Sequence, residues 1–216
     1  MASSRPYIIL SAAISIDGKI ATRTGDSALS SKLDITRVHK MRSKVDAILV
    51  GKNTILQDDP MLTVRHVRGK NPVRIVLDSQ GQIPIKSRII QTSHVIPTII
   101  AVSKKAPRKN LAKLGQFPVD VVIAGKTRVE LKLLLKFLRQ KNIKTILLEG
   151  GGTTNWDFVN QGLIDEAVIT ISPYLVGGKE AKTLVEGDGF SKISKSLRLK
   201  LHKTRRQGNE IVLYYI

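Results

Sequence analysis

The chain has 216 residues, of which 42% are hydrophobic and 25% charged, a composition typical of a folded globular protein and not of a disordered one. It contains no cysteine, which excludes disulfide frameworks, thiolate catalysis, iron–sulfur clusters and cysteine-based zinc sites. Its formal net charge is +19, because 36 Lys and Arg stand against 17 Asp and Glu.

This positive charge favours a polyanionic partner, such as a nucleic acid, an acidic membrane surface or a small phosphorylated ligand. The alternative is that the basic composition reflects the source organism. No apolar run approaches the roughly 20 residues that a membrane span requires. The first residues, Met1–Pro6, lack the small-residue cleavage site of a signal peptide. We therefore expect a cytoplasmic protein that does not enter membranes.

Short apolar runs with β-branched residues recur along the chain and predict strands. They cover residues 7–15, 46–51, 73–77, 98–102, 119–123 and 145–148, followed by residues 166–172, 197–204 and 210–216. Continuous apolar strands that alternate with helices indicate an α/β fold with a mostly parallel sheet covered on both faces. The last third has little helix, so its three strands are expected to add antiparallel edges. No linker or repeat divides the chain, which predicts a single domain over residues 1–216.

Three helices are predicted between the strands, at residues 31–45, 129–141 and 154–161. The second is the clearest, because its leucines recur at i, i+3, i+4 and i+7. These leucines are Leu131, Leu134, Leu135 and Leu138.

The helix predicted at residues 31–45 begins at a serine, Ser30 or Ser31, that can cap it. Its apolar residues share one face, which would consist of Leu33, Val38, Met41 and Val45. We expect His39 on the solvated face of this cationic helix.

A run of glycines directly follows the strand predicted at residues 145–148. The sequence is Glu149-Gly150-Gly151-Gly152-Thr153, and a predicted helix comes next. Glycines at a strand end let the backbone approach a ligand, and the N–H groups and positive dipole end of the helix attract an anion. The turn is therefore a candidate phosphate or pyrophosphate site; the alternative is a tight strand-to-helix turn without a ligand.

The standard nucleotide and metal motifs are absent. A dinucleotide fingerprint would need glycine where the chain has Asn155, and a P-loop ending in Gly51-Lys52-Asn53-Thr54 would need glycine at Asp46. The four histidines lie far apart, and neither a zinc-deaminase motif nor a Gly-x-Ser-x-Gly elbow occurs. The sequence predicts no metal site.

Two polar segments adjoin predicted strands. After the first strand, residues 15–21 place a turn, Asp17-Gly18, beside Lys19. Residues 54–65 are interpreted as a polar loop with adjacent carboxylates and a following arginine. Taken alone, its Asp-Asp-Pro sequence is more typical of a turn or a helix stop than of a site.

Eight segments, taken together and in this order, resemble the reductase family of riboflavin biosynthesis. They cover residues 15–21, 38–42, 46–51, 54–65, 71–79, 147–153, 162–166 and 177–178. The family comprises stand-alone archaeal and fungal reductases and the C-terminal half of the bacterial deaminase–reductase. Because no zinc-deaminase motif accompanies these segments, the resemblance is greatest to the archaeal single-domain form.

The resemblance implies a dihydrofolate-reductase-like α/β fold and a homodimer. It also implies reduction of 2,5-diamino-6-ribosylamino-4(3H)-pyrimidinone 5′-phosphate to its ribitylamino product with NADPH, the choice between NADPH and NADH remaining open. The implied cofactor-binding residues are Thr54, Asp58, Asp78, Ser79, Gln80, Gly81, Gly125, Gly150, Gly151, Gly152 and Thr153. The implied substrate-binding residues are Ser27, Arg42, Leu62, Arg65 and Glu149.

Within this set, Arg42 and Arg65 are the natural phosphate ligands, because a guanidinium binds phosphate through two hydrogen bonds. Reduction of a ribosylamine requires an opened sugar ring, whose imine accepts a hydride while the ring oxygen gains a proton. Lys19 and Glu149 are the catalytic candidates for polarising or protonating the sugar, with a solvated surface role as the alternative for Lys19. Asp58 is expected to bind cofactor rather than to transfer a proton.

A basic nucleic-acid-binding protein is the rival function. It is motivated by the charge and by a cationic tail that contains Lys192, Lys195, Arg198, Lys200, Lys203, Arg205 and Arg206. One Trp, four Tyr and four Phe offer few stacking platforms, and no nucleic-acid-binding motif occurs. A pterin- or folate-type reductase is the third alternative, against which the loop at residues 58–65 argues.

Overall fold

The structure, a computed structural model, describes residues 4–216; Met1, Ala2 and Ser3, part of the stretch compared with a signal peptide, lie outside the described residues. Backbone contacts divide the chain into two units. Unit 1 comprises the residues up to Tyr7 and residues 40–147, and unit 2 comprises residues 8–39 and 148–216. The single domain expected from the sequence stays a prediction.

The described residues contain nine strands. These are β1 (Tyr7–Ile14), β2 (Ala47–Gly51), β3 (Val73–Leu77), β4 (Thr98–Val102), β5 (Asp120–Ile123), β6 (Thr145–Leu148), β7 (Glu166–Ile171), β8 (Leu201–Gln207) and β9 (Glu210–Tyr215). All nine were predicted within one or two residues except β8, which begins four residues later and ends three residues later than expected.

Six α-helices and one short 3₁₀-helix accompany them in the described chain. They are α1 (Lys32–Arg42), α2 (Lys52–Asp58), α3 (Arg88–Gln91), α4 (Arg108–Leu114), α5 (Leu131–Gln140), α6 (Gly152–Asn160) and the 3₁₀-helix Ile193–Lys195. Sequence periodicity missed α2, α3 and α4, because segments of four to seven residues are too short to show a helical repeat. Within residues 4–216, no helix is long and apolar enough to cross a membrane.

Unit 1 is built on strands in the order β5-β4-β3-β2-β6. The pairings from β2 to β5 are all parallel, with Leu49 opposite Ile75 and Ile75 opposite Ile99. Every residue of β2 and β4 is buried, as the continuous apolar runs predicted. The four leucines predicted to face the core from α5 are buried. Burial of each such side chain stabilises the fold by about 1.5–3 kcal/mol.

One strand position of unit 1 interrupts this apolar pattern. Arg74 on β3 is fully buried, and its guanidinium donates hydrogen bonds to the carbonyl oxygens of Ile89 and Ile96 at 2.7 and 3.1 Å. The hydroxyls of Thr92 and Thr98 accept further hydrogen bonds at 2.8 and 2.6 Å. Burial lowers the pKa of Arg74 to about 10, so the side chain is still cationic at neutral pH. It fastens α3 and the following turn to the strand.

Unit 2 is built on strands in the order β1-β7-β9-β8. The predicted antiparallel edge is confirmed for β9, which pairs antiparallel with β7, and for β8, which pairs antiparallel with β9. On its other side β7 pairs in parallel with β1, so the antiparallel arrangement begins at the pairing of β7 with β9. A two-residue turn joins β8 to β9, and its first residue, Gly208, has a φ of +62° that suits glycine. Except for Gln207, β8 is exposed along its whole length.

The face predicted for α1 is wrong. Leu33 is 59% exposed, and the helix buries Asp34, Arg37 and His39 instead. Arg37 Nε donates a 2.8 Å hydrogen bond to Asp34 Oδ1, and the Thr170 hydroxyl donates to the same oxygen at 2.7 Å. These contacts make the polar side favourable to bury, which periodicity of apolar residues cannot reveal. The cap is confirmed at Ser31, whose hydroxyl accepts a hydrogen bond from the Asp34 N–H.

Candidate active site

Residues 181–186 of unit 2, here called the strap, run beside the turn that carries Lys19. Ile20 N–H donates to the Lys182 carbonyl at 2.8 Å, and Lys19 forms an antiparallel bridge with Thr183. The Lys19 ammonium also donates a long hydrogen bond, 3.4 Å, to the carbonyl of Ala181. The turn and the strap together give Lys19 a defined place that its sequence context alone did not show.

Asp17 attaches a second segment, residues 176–177, to the same turn. Its carboxylate accepts hydrogen bonds from the N–H groups of Val176 and Gly177, at 3.0 and 2.7 Å, and from the Ser15 hydroxyl at 2.7 Å. The N–H of Lys19 in turn donates to the Ser15 hydroxyl at 2.9 Å. The hydrogen bonds from Val176, Ser15 and Gly177 hold the pKa of the Asp17 carboxyl well below its usual value.

Asp17→Asn should destabilise the protein in a pH-dependent way. Because the pKa of Asp17 is lower in the folded than in the unfolded chain, its contribution is complete above the ordinary value of 3.8 and is lost as the pH falls towards the folded value. Denaturant unfolding should therefore show a larger gap between wild type and variant at pH 7 than near pH 3. Asp188→Asn, at an exposed carboxylate, is the matched control. An equal gap at both pH values would contradict the assignment.

The glycine turn also contacts the strap. Gly150 has a φ of +84°, in the left-handed region that favours glycine, and α6 begins at Gly152. Glu186 N–H donates to the Gly152 carbonyl at 3.2 Å, and the Thr153 hydroxyl donates to the Glu186 carboxylate at 3.2 Å. A Cβ on Gly152 would lie 2.6 Å from the carbonyl oxygen of Thr183. The strap therefore joins the glycine turn to the turn of Lys19, and only glycine fits where they meet.

Asn155 supports the glycine turn and was missed at the level of sequence, where it served only to reject a nucleotide motif. Its side chain is 1% exposed, and its amide Nδ2 donates to the Leu184 carbonyl at 2.8 Å. Its Oδ1 is buried without a hydrogen-bond partner in the described chain. A Cβ on Gly150 would lie 3.2 Å from this amide, so Asn155 packs directly against the turn.

Gly152→Ala should weaken cofactor binding. The added methyl collides with a backbone oxygen of the strap, so the turn must shift, and we expect the dissociation constant of NADPH, the cofactor that the family resemblance implies, to rise at least tenfold, equivalent to about 1.4 kcal/mol. Fluorescence titration of the folded variant measures it. Gly115→Ala is the matched control, because Gly115 has an ordinary helical φ and its Cβ would approach no atom closer than 3.4 Å. An unchanged constant in Gly152→Ala would remove the turn from the site.

The remaining predicted residues of unit 2 flank these two turns in the sequence. Glu149 is half-buried and immediately precedes Gly150, at the end of β6. Ser27 is exposed in the loop that leads to α1, where its carbonyl accepts a 2.7 Å hydrogen bond from Leu29 N–H.

In unit 1 the structure brings together the two arginines predicted to bind phosphate. Arg42 Nη1 donates to the Thr63 carbonyl at 3.1 Å, and Arg65 Nη1 donates to the Thr63 hydroxyl at 2.6 Å. Partial burial, the Arg42 cation and the Arg88 cation together lower the pKa of Arg65. Like charges that lie close together repel each other and are stabilised by a bound anion. Arg88, which the sequence did not single out, joins this cationic group.

The loop that carries Arg65 is shorter than predicted. Thr54 and Asp58, placed in a loop from sequence, lie in α2, which ends at Asp58. The interpretation of Asp-Asp-Pro as a helix stop is confirmed by Asp59, a left-handed C-cap with a φ of 37°. Partial burial raises the pKa of Asp58. Leu62 also has a left-handed φ, 50°, and its side chain is buried, so it shapes the loop from beneath.

Three loops of unit 1 meet beyond the carboxyl ends of β3, β4 and β5. The Ser79 carbonyl accepts hydrogen bonds from the Ser103 N–H and hydroxyl at 3.0 and 2.8 Å. The Ser79 hydroxyl accepts one from Val129 N–H at 3.0 Å. Gly125, with a φ of +106°, accepts a 3.0 Å hydrogen bond from Lys104 N–H through its carbonyl. Two of the predicted cofactor positions, Ser79 and Gly125, thus lie in one loop cluster.

Asp78, Gln80 and Gly81 form the first of these loops. The Asp78 carboxylate accepts hydrogen bonds from Ile83 N–H at 2.8 Å and Gln80 N–H at 3.3 Å. The Gln80 carbonyl accepts one from the Asn110 side chain at 2.8 Å, and Gly81 provides the positive φ, +62°, that closes the loop. The hydrogen bonds give the Asp78 carboxylate a positioning role within the loop.

Comparison with solved structures defines the class of fold. Dihydrofolate reductase from Enterococcus faecalis complexed with NADP(H) superimposes with a TM-score of 0.53 at 11% identity, over 97% of this chain and 95% of that one. RibD of Acinetobacter baumannii superimposes with a TM-score of 0.83 at 28% identity, over 99% of this chain and 58% of that one. The fold is therefore a dihydrofolate-reductase-like α/β fold, with parallel strands in unit 1 and antiparallel C-terminal strands in unit 2, as the resemblance implied.

The family follows from the sequence match. The family model described as the RibD C-terminal domain matches residues 6–213, and the chain belongs to this family. A relative from Methanothermobacter thermautotrophicus, named 2,5-diamino-6-ribosylamino-4(3H)-pyrimidinone 5′-phosphate reductase, is 44% identical over 214 residues. The match covers 98% of this chain and 98% of the relative.

Proposed function

We propose that this protein reduces 2,5-diamino-6-ribosylamino-4(3H)-pyrimidinone 5′-phosphate to the ribitylamino product in riboflavin biosynthesis, with NADPH as the reductant. The observation that carries the proposal is the 44% identity, over nearly the whole of both chains, with a relative that bears the name of this reductase. The cationic group of unit 1, formed by Arg42, Arg65 and Arg88, supports the proposal because it suits a phosphorylated ligand. The glycine turn of unit 2 supports it for the same reason.

The residues present fit a phosphorylated dinucleotide. The glycine turn leaves no room for a Cβ at Gly152 and stands at the positive end of α6, which attracts phosphate. Exposed lysines surround the loop cluster of unit 1: Lys104, Lys105 and Lys126 adjoin Gly125. This positive charge favours NADPH over NADH, because the extra 2′-phosphate adds negative charge. When bound, the nicotinamide supplies the hydride.

The chain's own groups then bind and polarise the substrate. Arg42 and Arg65 hold the 5′-phosphate, since both guanidiniums converge on Thr63. Lys19 is the proposed donor of the proton that the sugar oxygen needs when the ring opens. Glu149, which immediately precedes the glycine turn, is its proposed partner in this step. Ser27 and Leu62 line the substrate, and Asp58 binds cofactor from the end of α2.

We also propose a homodimer. Unit 2 exposes large apolar side chains that a second copy would cover, among them Leu33, Leu201 and Ile211. Light scattering should give twice the mass of one chain; the mass of a single chain would contradict the dimer.

The purified protein tests the proposed function directly. NADPH should be consumed when the protein is incubated with NADPH and the ribosylaminopyrimidinone phosphate. It should not be consumed when either the protein or the substrate is left out. Absence of consumption by a folded protein that binds NADPH would show that the substrate is a different one, and equal rates with NADH would contradict the cofactor preference.

A further inference from the structure

We propose that Glu210, the first residue of β9, is a positioning residue. It would fix the segment at residues 27–31, which includes the proposed substrate-binding residue Ser27. This role rests on the proposed function, in which Ser27 binds substrate. Glu210 lies 179 residues from Ser31 along the chain, and neither the sequence motifs nor the mechanism above uses it.

Glu210 is a buried carboxylate whose hydrogen bonds are directed at the start of α1. Only 3% of the surface of Glu210 is exposed to solvent. One carboxylate oxygen accepts from the Ser31 N–H at 2.7 Å, and the other accepts from the Ser31 hydroxyl at 2.7 Å and from Gln207 Nε2 at 3.2 Å. Hydrogen bonds to a buried charged group are the stronger kind, so this contact is a firm anchor.

A second buried carboxylate fixes the preceding residue. The Ser30 hydroxyl donates to Asp34 Oδ2 at 2.8 Å, and Asp34 is itself fully buried and held by Arg37 and Thr170. Ser30 and Ser31 are therefore both attached, by side chains of unit 2, to the sheet formed by β7 and β9.

The other end of the segment is shaped by hydrogen bonds among neighbouring residues. Thr22 N–H donates to the Asp26 carbonyl at 2.9 Å, and Asp26 N–H donates to the Thr22 hydroxyl at 3.0 Å, so these two residues close a turn over residues 22–26. Ala28 N–H donates to the Asp26 carboxylate at 3.0 Å. These bonds shape the loop by linking neighbouring residues to one another.

Ser27 is thus exposed between the turn at residues 22–26 and two anchored serines. The position of Ser27 relative to the sheet depends on the anchors at Ser30 and Ser31, of which Glu210 is the one supplied by a distant strand. Loss of the Glu210 contact should loosen substrate binding more than cofactor binding, because the glycine turn makes no hydrogen bond to this carboxylate among those described.

Glu210→Gln tests this inference, since it keeps the side-chain shape, removes the charge and leaves a single acceptor oxygen. We expect KM for the phosphorylated substrate to rise at least fivefold, with the NADPH dissociation constant and kcat each within twofold of wild type. Asn209→Ala, at the adjacent exposed turn position, is the matched control and should leave all three unchanged. An unchanged KM in Glu210→Gln, or an equal rise in KM and in the NADPH dissociation constant, would overturn the proposal.

Ser31→Ala gives an independent measurement that does not alter the hairpin. It removes the hydroxyl donor, so it should raise KM in the same direction, and combining it with Glu210→Gln should raise KM by less than the product of the single effects. Fully multiplicative effects would contradict a direct contact. If the wild type itself fails to turn over this substrate, the proposed function fails, but amide exchange at Ser31 still tests the anchor. Exchange should be faster in Glu210→Gln, and an unchanged rate would refute the contact.

Discussion

Replacing Lys19 with methionine should lower kcat by roughly 10²–10⁴-fold, the range for loss of a positioned acid or base. The Lys19 backbone is held by the Ser15 hydroxyl and by the bridge to the strap, and the amine donates to the Ala181 carbonyl, so methionine keeps the stem and removes the proton donor. NADPH binding should survive, because no phosphate contact is assigned to this side chain. Single-turnover kinetics with saturating NADPH measures the effect on the chemical step.

Lys182→Met is the matched control for this prediction. Lys182 lies on the same strap, but its side chain is 55% exposed and its contact with Glu186 is long, 3.9 Å. Its loss should change kcat by less than twofold. A Lys19→Met enzyme that turned over within threefold of wild type would show that Lys19 merely solvates its turn and that water protonates the sugar.

Replacing Arg65 with alanine should raise KM for the phosphorylated substrate about 10- to 100-fold. Hydrogen bonds to charged groups contribute about 1.5–3 kcal/mol, which corresponds to this range. The Arg65 guanidinium adjoins Arg42 through Thr63, so both contribute to one anion site. Steady-state kinetics with saturating NADPH gives KM, and the NADPH dissociation constant should stay within twofold of wild type.

The dephosphorylated substrate shows whether Arg65 recognises the 5′-phosphate. Wild type and Arg65→Ala should use it with similar KM, because the group that Arg65 binds is missing. Arg68→Ala, an exposed arginine three residues further on, is the matched control and should leave KM unchanged. An equal loss with and without the phosphate would show that Arg65 acts on something else.

The parts of the fold predicted well are those whose signal is local. The leucines of α5 repeat at helical spacing because one face is buried, and all four lie in the core. The apolar runs of β2 and β4 predicted fully buried strands for the same reason. In α1 the rule failed, since Asp34 and Arg37 pair with each other and with Thr170 and are buried in place of Leu33.

The parts of the site that could not be predicted depend on contacts between distant segments. Asp17 was identified only as a turn residue, because its partners Val176 and Gly177 lie about 160 residues away. Arg42 reaches the Thr63 carbonyl across 21 residues of sequence and so meets Arg65 there, a contact that spacing does not encode. The strap has no helix and only a bridge, so no periodic pattern marks it.

Transfer of deuterium from labelled NADPH tests the central claim most directly. The wild-type protein should be incubated with the ribosylaminopyrimidinone phosphate and NADPH deuterated at C4, each of the two C4 positions being labelled in turn. One of the two cofactors should deliver its deuterium to C1′ of the ribityl chain, as NMR of the product would show. The account would be contradicted if neither labelled cofactor gave a product with deuterium at C1′. It would also be contradicted if a folded protein that binds NADPH gave no product.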